Sequence, residues 1–545
     1  MRCRTEIVRR DDALDPVKEE SRIAQALPRR APASLAAVGG AESGPDPDVH
    51  PGLRSRSRAG RWVIAATVLG SGMAAIDATV VGITLPALGR QFHAPLVSLQ
   101  WVVTGYMLAL ASLLLVGGTL GDQLGRRRMF CLGVIWFSAA SAACAAAPNS
   151  TALVVTRVLQ GIGGALLVPG SLAIIQASFV PDDRGKAIGL WSGLGGVATA
   201  AGPLLGGYLI SAASWRWIFL INVPLGAVVL VVALRHVPES RQEQAESRID
   251  PLGATLTVLA LAGTTYALIE GPSKGWVSAP VLGMLSLGVF AGCAFVAVER
   301  RVRVPMVPLQ VFRQRQFTVT NVLTLLVYAA LGGTLFLLPV ELQVVDGYSA
   351  LSAGMALLPL TAVMFLLSAR SGRLASRIGP RLQMSVGPIL IGGGLAMLSR
   401  TASDSSYLSG ALPGVLVLGL GLAVTVAPLT ATALGSVTDD RAGLASAVNN
   451  DVARVGGLVA VAVIPALAGI AGRDYLHPSK MAGGFRTAVF ITASWCVAGG
   501  VLAALGIRNP DAVHAEAAEG SGHGGGGGDR CLHCALDATP LSADS

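Results

Sequence analysis

Residues 118–128 read Gly118-Thr-Leu-Gly-Asp122-Gln-Leu-Gly125-Arg126-Arg127-Arg128, a charged knot between the uncharged runs 91–121 and 129–156. A related stretch, Gly372-Arg-Leu-Ala-Ser-Arg377-Ile-Gly379-Pro-Arg381, separates the uncharged runs 347–369 and 382–399. From Gly118 to Gly372 is a step of 254 residues. A second pair of loops, Asp182-Asp183-Arg184-Gly185 and Asp439-Asp440-Arg441-Ala442, is offset by 257. Two separate loops thus repeat with nearly the same shift, which marks a chain built twice.

A membrane-crossing helix needs about 20 mostly apolar residues. The uncharged stretches 91–121, 129–156, 158–181, 187–215, 217–234, 251–269, 275–298, 316–340, 347–369, 382–399 and 405–438 each suit one crossing. So do 61–90, interrupted by Asp77, 442–472, which holds Asp451 and Arg454, and 487–507. The sequence therefore predicts fourteen transmembrane helices. The repeat step equals eight of them, whereas plain six-helix halves would give six. Two extra helices must sit in the middle, a 6+2+6 arrangement.

Composition agrees. The 545 residues are 52% hydrophobic and only 13% charged, against about 25% charged in soluble domains. Mean hydropathy is +0.61. These values exclude a soluble enzyme or a nucleic-acid binder. The net charge of +9 is consistent with Lys and Arg held in cytoplasmic loops. With the N-terminus inside, eighteen Lys/Arg fall in inner loops and seven in outer ones, so both termini are expected in the cytoplasm. The seven cysteines are scattered and suggest no disulfide framework.

The expected organisation is a disordered arm, 1–61; a first six-helix bundle, 62–235; a two-helix insert with flanking loops, 236–316; a second bundle, 317–507; and a disordered Gly-rich tail, 508–545. Cys531, His533 and Cys534 in the tail, with His523, are metal-ligating types, but in glycine-rich sequence they read as chance neighbours.

At these residues the chain resembles the major facilitator superfamily, in its fourteen-span drug:proton antiporter branch. The loop Gly118–Arg128 is similar to that family's inner-loop motif. The resemblance implies a conformational latch formed by Gly118, Asp122, Gly125, Arg126 and Arg127. Physically, Gly118 would let spans approach, Gly125 would permit a tight turn, and Asp122 would face a helix N-terminus or an Arg across the half–half interface. Span 4 carries Arg157-Val-Leu-Gln160-Gly161-Ile-Gly163-Gly164-Ala165, similar to the family's RxxQGxGxA motif. An arginine at membrane depth is a functional candidate by default; Arg157, Gly161 and Ala165 share one face. Span 5 carries Gly193, Gly202, Pro203, Gly206 and Gly207 and looks like the antiporter motif. There Pro203 would bend the helix and the glycines would form a groove for a neighbour. Span 1 carries Ile76-Asp77-Ala-Thr79-Val-Val-Gly82-Ile-Thr-Leu-Pro86, similar to a signature of this branch but with Gly82 where Asn is usual. Asp77, the sole formal charge of its span, reads as a proton or substrate carrier, or else as the fixed partner of Arg157.

Two further acids are candidates. Glu341, in Pro339-Val-Glu341-Leu-Gln343, would attract a cationic substrate or carry a second proton, or reach water at the outer interface. Asp451 and Arg454 are spaced to neutralise each other on a helix; otherwise Asp451 is a membrane acid of the second half. No GxxxxGK[ST], HExxH or GxSxG is present, so neither an ATP-driven pump in one chain nor an enzyme site is indicated. The expectation is an all-α multi-pass protein of the plasma membrane, with two pseudo-symmetric halves. It would act as a monomer, export hydrophobic or amphipathic small molecules in exchange for protons, and need no cofactor. The alternatives are proton-coupled nutrient uptake and a non-transporting receptor of the same fold.

Overall fold

The computed structural model describes residues 52–241, 250–302, 307, 309–400, 406–438 and 442–509. Fourteen of its helices are long and apolar enough to cross a membrane. They are α1 (Arg58–Phe92), α2 (Leu96–Leu124), α3 (Arg126–Ala145), α4 (Ser150–Ser178), α5 (Pro181–Ala212), α6 (Trp217–His236), α7 (Pro251–Lys274), α8 (Ala279–Glu299), α9 (Arg315–Val344), α10 (Ala350–Ile378), α11 (Pro380–Leu398), α12 (Ala411–Gly435), α13 (Ala442–Leu467) and α14 (Pro478–Gly506). In lipid each backbone polar group must be satisfied within the protein, and helices do this locally. Their starts are marked by polar caps and prolines. Ser57, Asn149, Asp250 and Ser349 accept hydrogen bonds from the backbone N–H three residues on, and prolines occupy the first turn of α5, α7, α8, α11 and α14.

The repeat read from the loops is visible in the packing. In the first half α2 packs on α4, α3 on α4 and α6, and α1 on α5 and α6. Eight helices later α10 packs on α12, α11 on α12 and α14, and α9 on α13 and α14. The two charged turns are also built alike. Gly125 adopts φ 113°, open to glycine alone, and a Cβ there would lie 2.8 Å from the Glu239 carboxylate. The next residue, Arg126, donates its backbone N–H to Ser240 O at 3.0 Å. Gly379 adopts φ 81° against the Asn509 side chain, and Arg381 N donates to Asn509 Oδ1 at 3.1 Å. In each half the chain leaving the sixth helix folds back and fills the turn between the second and third.

The ends of the chain depart from the expected boundaries. Residues 52–57 of the arm are held: Leu53 bridges Phe179, and Ser55 N donates to Asp183 Oδ2 at 2.8 Å. The start of the tail is fixed by the Asn509 contact and by Gln316, whose Nε2 donates to Arg508 O at 3.2 Å. The rest of both segments, with Cys531, His533, Cys534 and His523, lies outside the described residues.

In the insert, Gly263 and Gly288 bring α7 and α8 into backbone contact. The insert is tied to α2 through Trp101, whose Nε1 donates to Glu270 Oε1 at 3.0 Å. The outer helix α8 exposes Val289 and Phe290, an apolar face suited to lipid.

Small residues set most of the helix contacts, as expected where lipid is as apolar as the protein. A Cβ on Gly117 would run into the Ala165 carbonyl, and one on Gly163 would lie 2.6 Å from Phe137 N. The close approach of α2 to α4 is thus made by Gly117. Gly118, to which the sequence reading gave it, has only an ordinary 3.8 Å neighbour. We expect Gly117→Ala to lower the unfolding free energy by about 1–3 kcal/mol through overpacking. Gly196→Ala, where a Cβ meets nothing within 4 Å, should be neutral or slightly stabilising. Thermal unfolding in detergent distinguishes the two.

Candidate functional site

Near the middle of α1, Asp77 is fully buried. Its Oδ2 pairs with Arg157 Nη1 of α4 at 2.5 Å. Its Oδ1 accepts from Gln160 Nε2 at 2.8 Å and from Asn222 Nδ2 of α6 at 3.2 Å. Arg157 Nη1 also donates to Gln160 Oε1 at 2.6 Å, and its Nε donates to Val102 O of α2 at 3.2 Å. Asn222 is itself held by Ser141 Oγ at 3.0 Å. The pair is a closed network drawing on α1, α2, α3, α4 and α6. Both orienting amides stood in the sequence: Gln160 one helical turn from Arg157, and Asn222 as the only amide in 217–234.

The Arg157 guanidinium lies 4.2 Å from the ring centroid of Tyr106, a cation–π stack. Tyr106, from α2, also lines a cavity of about 270 Å³ walled by Ala74 and Ala78 of α1, Trp191 and Thr199 of α5, and Arg454 of α13. One aromatic ring thus separates the buried ion pair from a chamber between the two halves. Nothing in the sequence pattern singled out Tyr106, whose role depends on a tertiary stack.

Asp451 and Arg454, three residues apart on α13, form no salt bridge and line different spaces. Arg454 faces the central chamber, whereas Asp451 lines an apolar crevice of about 430 Å³ shared with Leu261 of α7, Phe295 of α8 and Asn321 of α9. The Asp451 Oδ1 atom is buried with no hydrogen-bond partner. One helical turn carries the two side chains into different spaces. Glu341 is not an interfacial residue reaching water; it is 1% exposed and its Oε2 has no partner.

The halves are joined around Glu341. Gln343 Nε2 donates to Ile83 O at 3.0 Å, Gln100 Nε2 to Val461 O at 2.7 Å, Tyr475 Oη to Ala94 O at 2.7 Å, and Leu96 N to Gly472 O at 2.7 Å. The glycine motif of α5 serves this junction. Gly202 and Gly206 seat on Thr79 and Val80 of α1. Gly207 would place a Cβ 2.5 Å from Ala350 O of α10, and a Cβ on Gly354 would meet the Pro203 carbonyl. Gly193, nearer the other end, has no neighbour within 4 Å. At that other end, of the two partners expected for Asp122, an arginine of the second half is not the one found. Asp122 pairs within its own turn with Arg126 Nη2 at 2.7 Å. Arg127 and Arg128 approach Glu239 at 3.6 and 3.7 Å, a partner the sequence reading missed because it lies beyond the sixth helix.

Residues 67–461 match the sequence profile of the Major Facilitator Superfamily. The chain is 37% identical to a tetracenomycin C resistance and export protein of Streptomyces glaucescens, over 76% of this chain and 77% of that one. It is 37% identical to the multidrug resistance protein Stp of Mycobacterium tuberculosis, over 74% of each. It is 35% identical to a methylenomycin A resistance protein of Bacillus subtilis, over 75% of this chain and 88% of that one. Among solved structures, a bacterial homologue of the human lysosomal transporter Spinster superposes with a TM-score of 0.59 at 18% identity, over 83% of this chain and 97% of that one. The nucleoside transporter NupG does so with 0.58 at 12%, over 82% and 100%.

Asp346 follows α9 beside Glu341, and burial pushes its carboxyl up to about 6. The unfolded carboxyl titrates near 3.9. The folded protein therefore binds the extra proton between these values, and stability falls as pH rises from about 4 to about 6, with no further loss above. Asp346→Asn removes this loss. We expect its stability advantage over wild type to be absent at pH 4 and to reach on the order of 1 kcal/mol above pH 6, solvent screening of a half-buried group included. Thermal unfolding of both proteins across that range is the check.

Proposed function

The chain belongs to the Major Facilitator Superfamily, and we propose that it is a proton-coupled antiporter exporting hydrophobic or amphipathic drugs or antibiotics across the cell membrane. The resistance and export relatives, at 35–37% identity over most of their length, support this reading. So does the geometry: a chamber between two pseudo-symmetric halves, with a buried carboxylate behind its wall.

The arginine-rich turns at Gly125 and Gly379 support a cytoplasmic position for their end of the bundle. Both termini then lie inside, and the junction of Gln343, Gln100 and Tyr475 seals the outside. Cargo enters the chamber from the cytoplasm, the halves rock about it, and the outer junction parts. The Asp122 turn, paired within itself when the inner end is apart, would engage the second half when that end closes. Gly207 and Gly354, packed backbone to backbone with the opposite half, let the outer junction close tightly.

The observation that carries the coupling is the stack of Tyr106 on Arg157, itself paired with Asp77. While Asp77 is ionised the pair is neutral and locked. A proton on Asp77 breaks it and leaves the Arg157 charge against the ring that forms the chamber wall. Proton occupancy and cargo occupancy thereby act on one side chain, and linkage lets a proton gradient drive cargo. Neither a nucleotide nor a cofactor enters this cycle, and one chain holds all of its parts.

The test uses proteoliposomes loaded with a panel of dyes and antibiotics. Asp77→Asn should reduce transport driven by an imposed pH gradient at least tenfold. Losing one member of a buried pair also costs about 3–5 kcal/mol of stability, so Asp77→Asn/Arg157→Gln is made in parallel. The double variant should recover stability yet still fail to respond to the gradient. Gradient-driven transport at the wild-type rate in either variant overturns the assignment.

A further inference from the structure

Besides the hydroxyls of Ser71, Ser192 and Thr199, the central chamber is lined by three donor groups without a hydrogen-bond partner among the described residues. Arg454 has no ion-pair or hydrogen-bond partner among the described residues, although it lies on a membrane-spanning helix. Tyr106 Oη and Trp191 Nε1, on two other walls, are buried and without hydrogen-bond partners. All three are donors; the indole N–H and the guanidinium have no accepting capacity at all. The wall contains no carboxylate. Asp77 is sealed behind Tyr106 by Arg157, Gln160 and Asn222, and Asp451 faces the separate crevice on the insert side.

Unsatisfied buried donors are costly, and a ligand that supplies acceptors recovers that cost. A ligand with a fixed positive charge would instead meet the Arg454 charge in a medium of low dielectric, at a wall that carries no carboxylate. The partly exposed ring of Trp191 offers a flat apolar face beside the donors, and the 270 Å³ volume suits a few fused rings.

We propose that the chamber selects planar aromatic molecules bearing several oxygen acceptors, such as quinones, aryl ketones and phenols, neutral or anionic, and rejects lipophilic cations, with Arg454 as the specificity-determining residue. The proposal rests on the transporter reading for its cargo role, and it concerns which chemical class the same chamber takes.

Equilibrium binding to the full chain in nanodiscs, measured calorimetrically with no gradient imposed, tests it with three planar tricyclic probes: 1,4-dihydroxyanthraquinone, anthraquinone-2-sulfonate and ethidium. Both quinones should bind at least tenfold more tightly than ethidium. Arg454→Gln should weaken the sulfonate at least tenfold and narrow the gap to ethidium, while Arg454→Lys retains part of the preference. Tyr106→Phe and Trp191→Phe, which delete a donor and keep a ring, should each weaken dihydroxyanthraquinone several-fold. Ethidium binding as tightly as the quinones, or quinone affinities unmoved by Arg454→Gln and Tyr106→Phe in variants that unfold at the wild-type temperature, overturns the proposal. Because binding is read without transport, loss of proton coupling in the Asp77 variants leaves this result intact. Failure here likewise leaves the coupling test standing.

Discussion

An arginine and an aspartate with 1% and 0% exposure, joined at 2.5 Å at the level of the membrane interior, constrain everything around them. Neither charge survives there alone. Each needs the other, and the remaining valences need Gln160, Asn222 and a backbone carbonyl of α2. Five helices of the first half are therefore bound to one polar point. A buried pair is weak evidence for stability, since an apolar replacement of the same shape does as well or better. In the proposed cycle the pair acts as a switch, because its neighbour Tyr106 belongs both to it and to the chamber.

The rest of the bundle is held by contacts of another kind. Helix faces meet backbone to backbone at Gly117, Gly133, Gly161 and Gly163 in the first half, and at Gly387, Gly394, Gly421 and Gly456 in the second. Such contacts are short and tolerate no added atom, so each half keeps its shape. Between the halves small residues meet as well, at Gly207 with Ala350 and at Gly354 with Pro203. In the proposed cycle those paired surfaces part and re-form, which backbone surfaces can do without unthreading long side chains.

Much of this was legible in the sequence. The helices were written in uncharged runs, because lipid imposes length and composition on any crossing segment. The eight-helix repeat was written in two loops. Asp77 and Arg157 stood out as charges in lipid, and the structure places them together. What stayed hidden was what depends on rotation about a helix axis or on contacts made far along the chain. The spacing of Asp451 and Arg454 suggested a pair, yet tertiary packing turns them to different spaces. Asp122 was read as facing either a helix N-terminus or an arginine of the other half, and it pairs with Arg126 at the start of α3. For Glu341, near the end of a span, reaching water was one of the readings, but the side chain is buried. Tyr106, Trp191 and Glu239 carry no signature in one dimension, since a ring stacked on a guanidinium or a carboxylate under a glycine turn is a property of the assembled molecule.

The matched turns at Gly125 and Gly379 bear on how force travels. In each bundle the strand of chain emerging from the last helix is stapled beneath the turn between the second and third. Opposite corners of one bundle are thereby tied, so it cannot shear or fan apart at that face. In the proposed cycle a push delivered near the chamber would then swing the bundle as a lever, so that separation at one face goes with approach at the other.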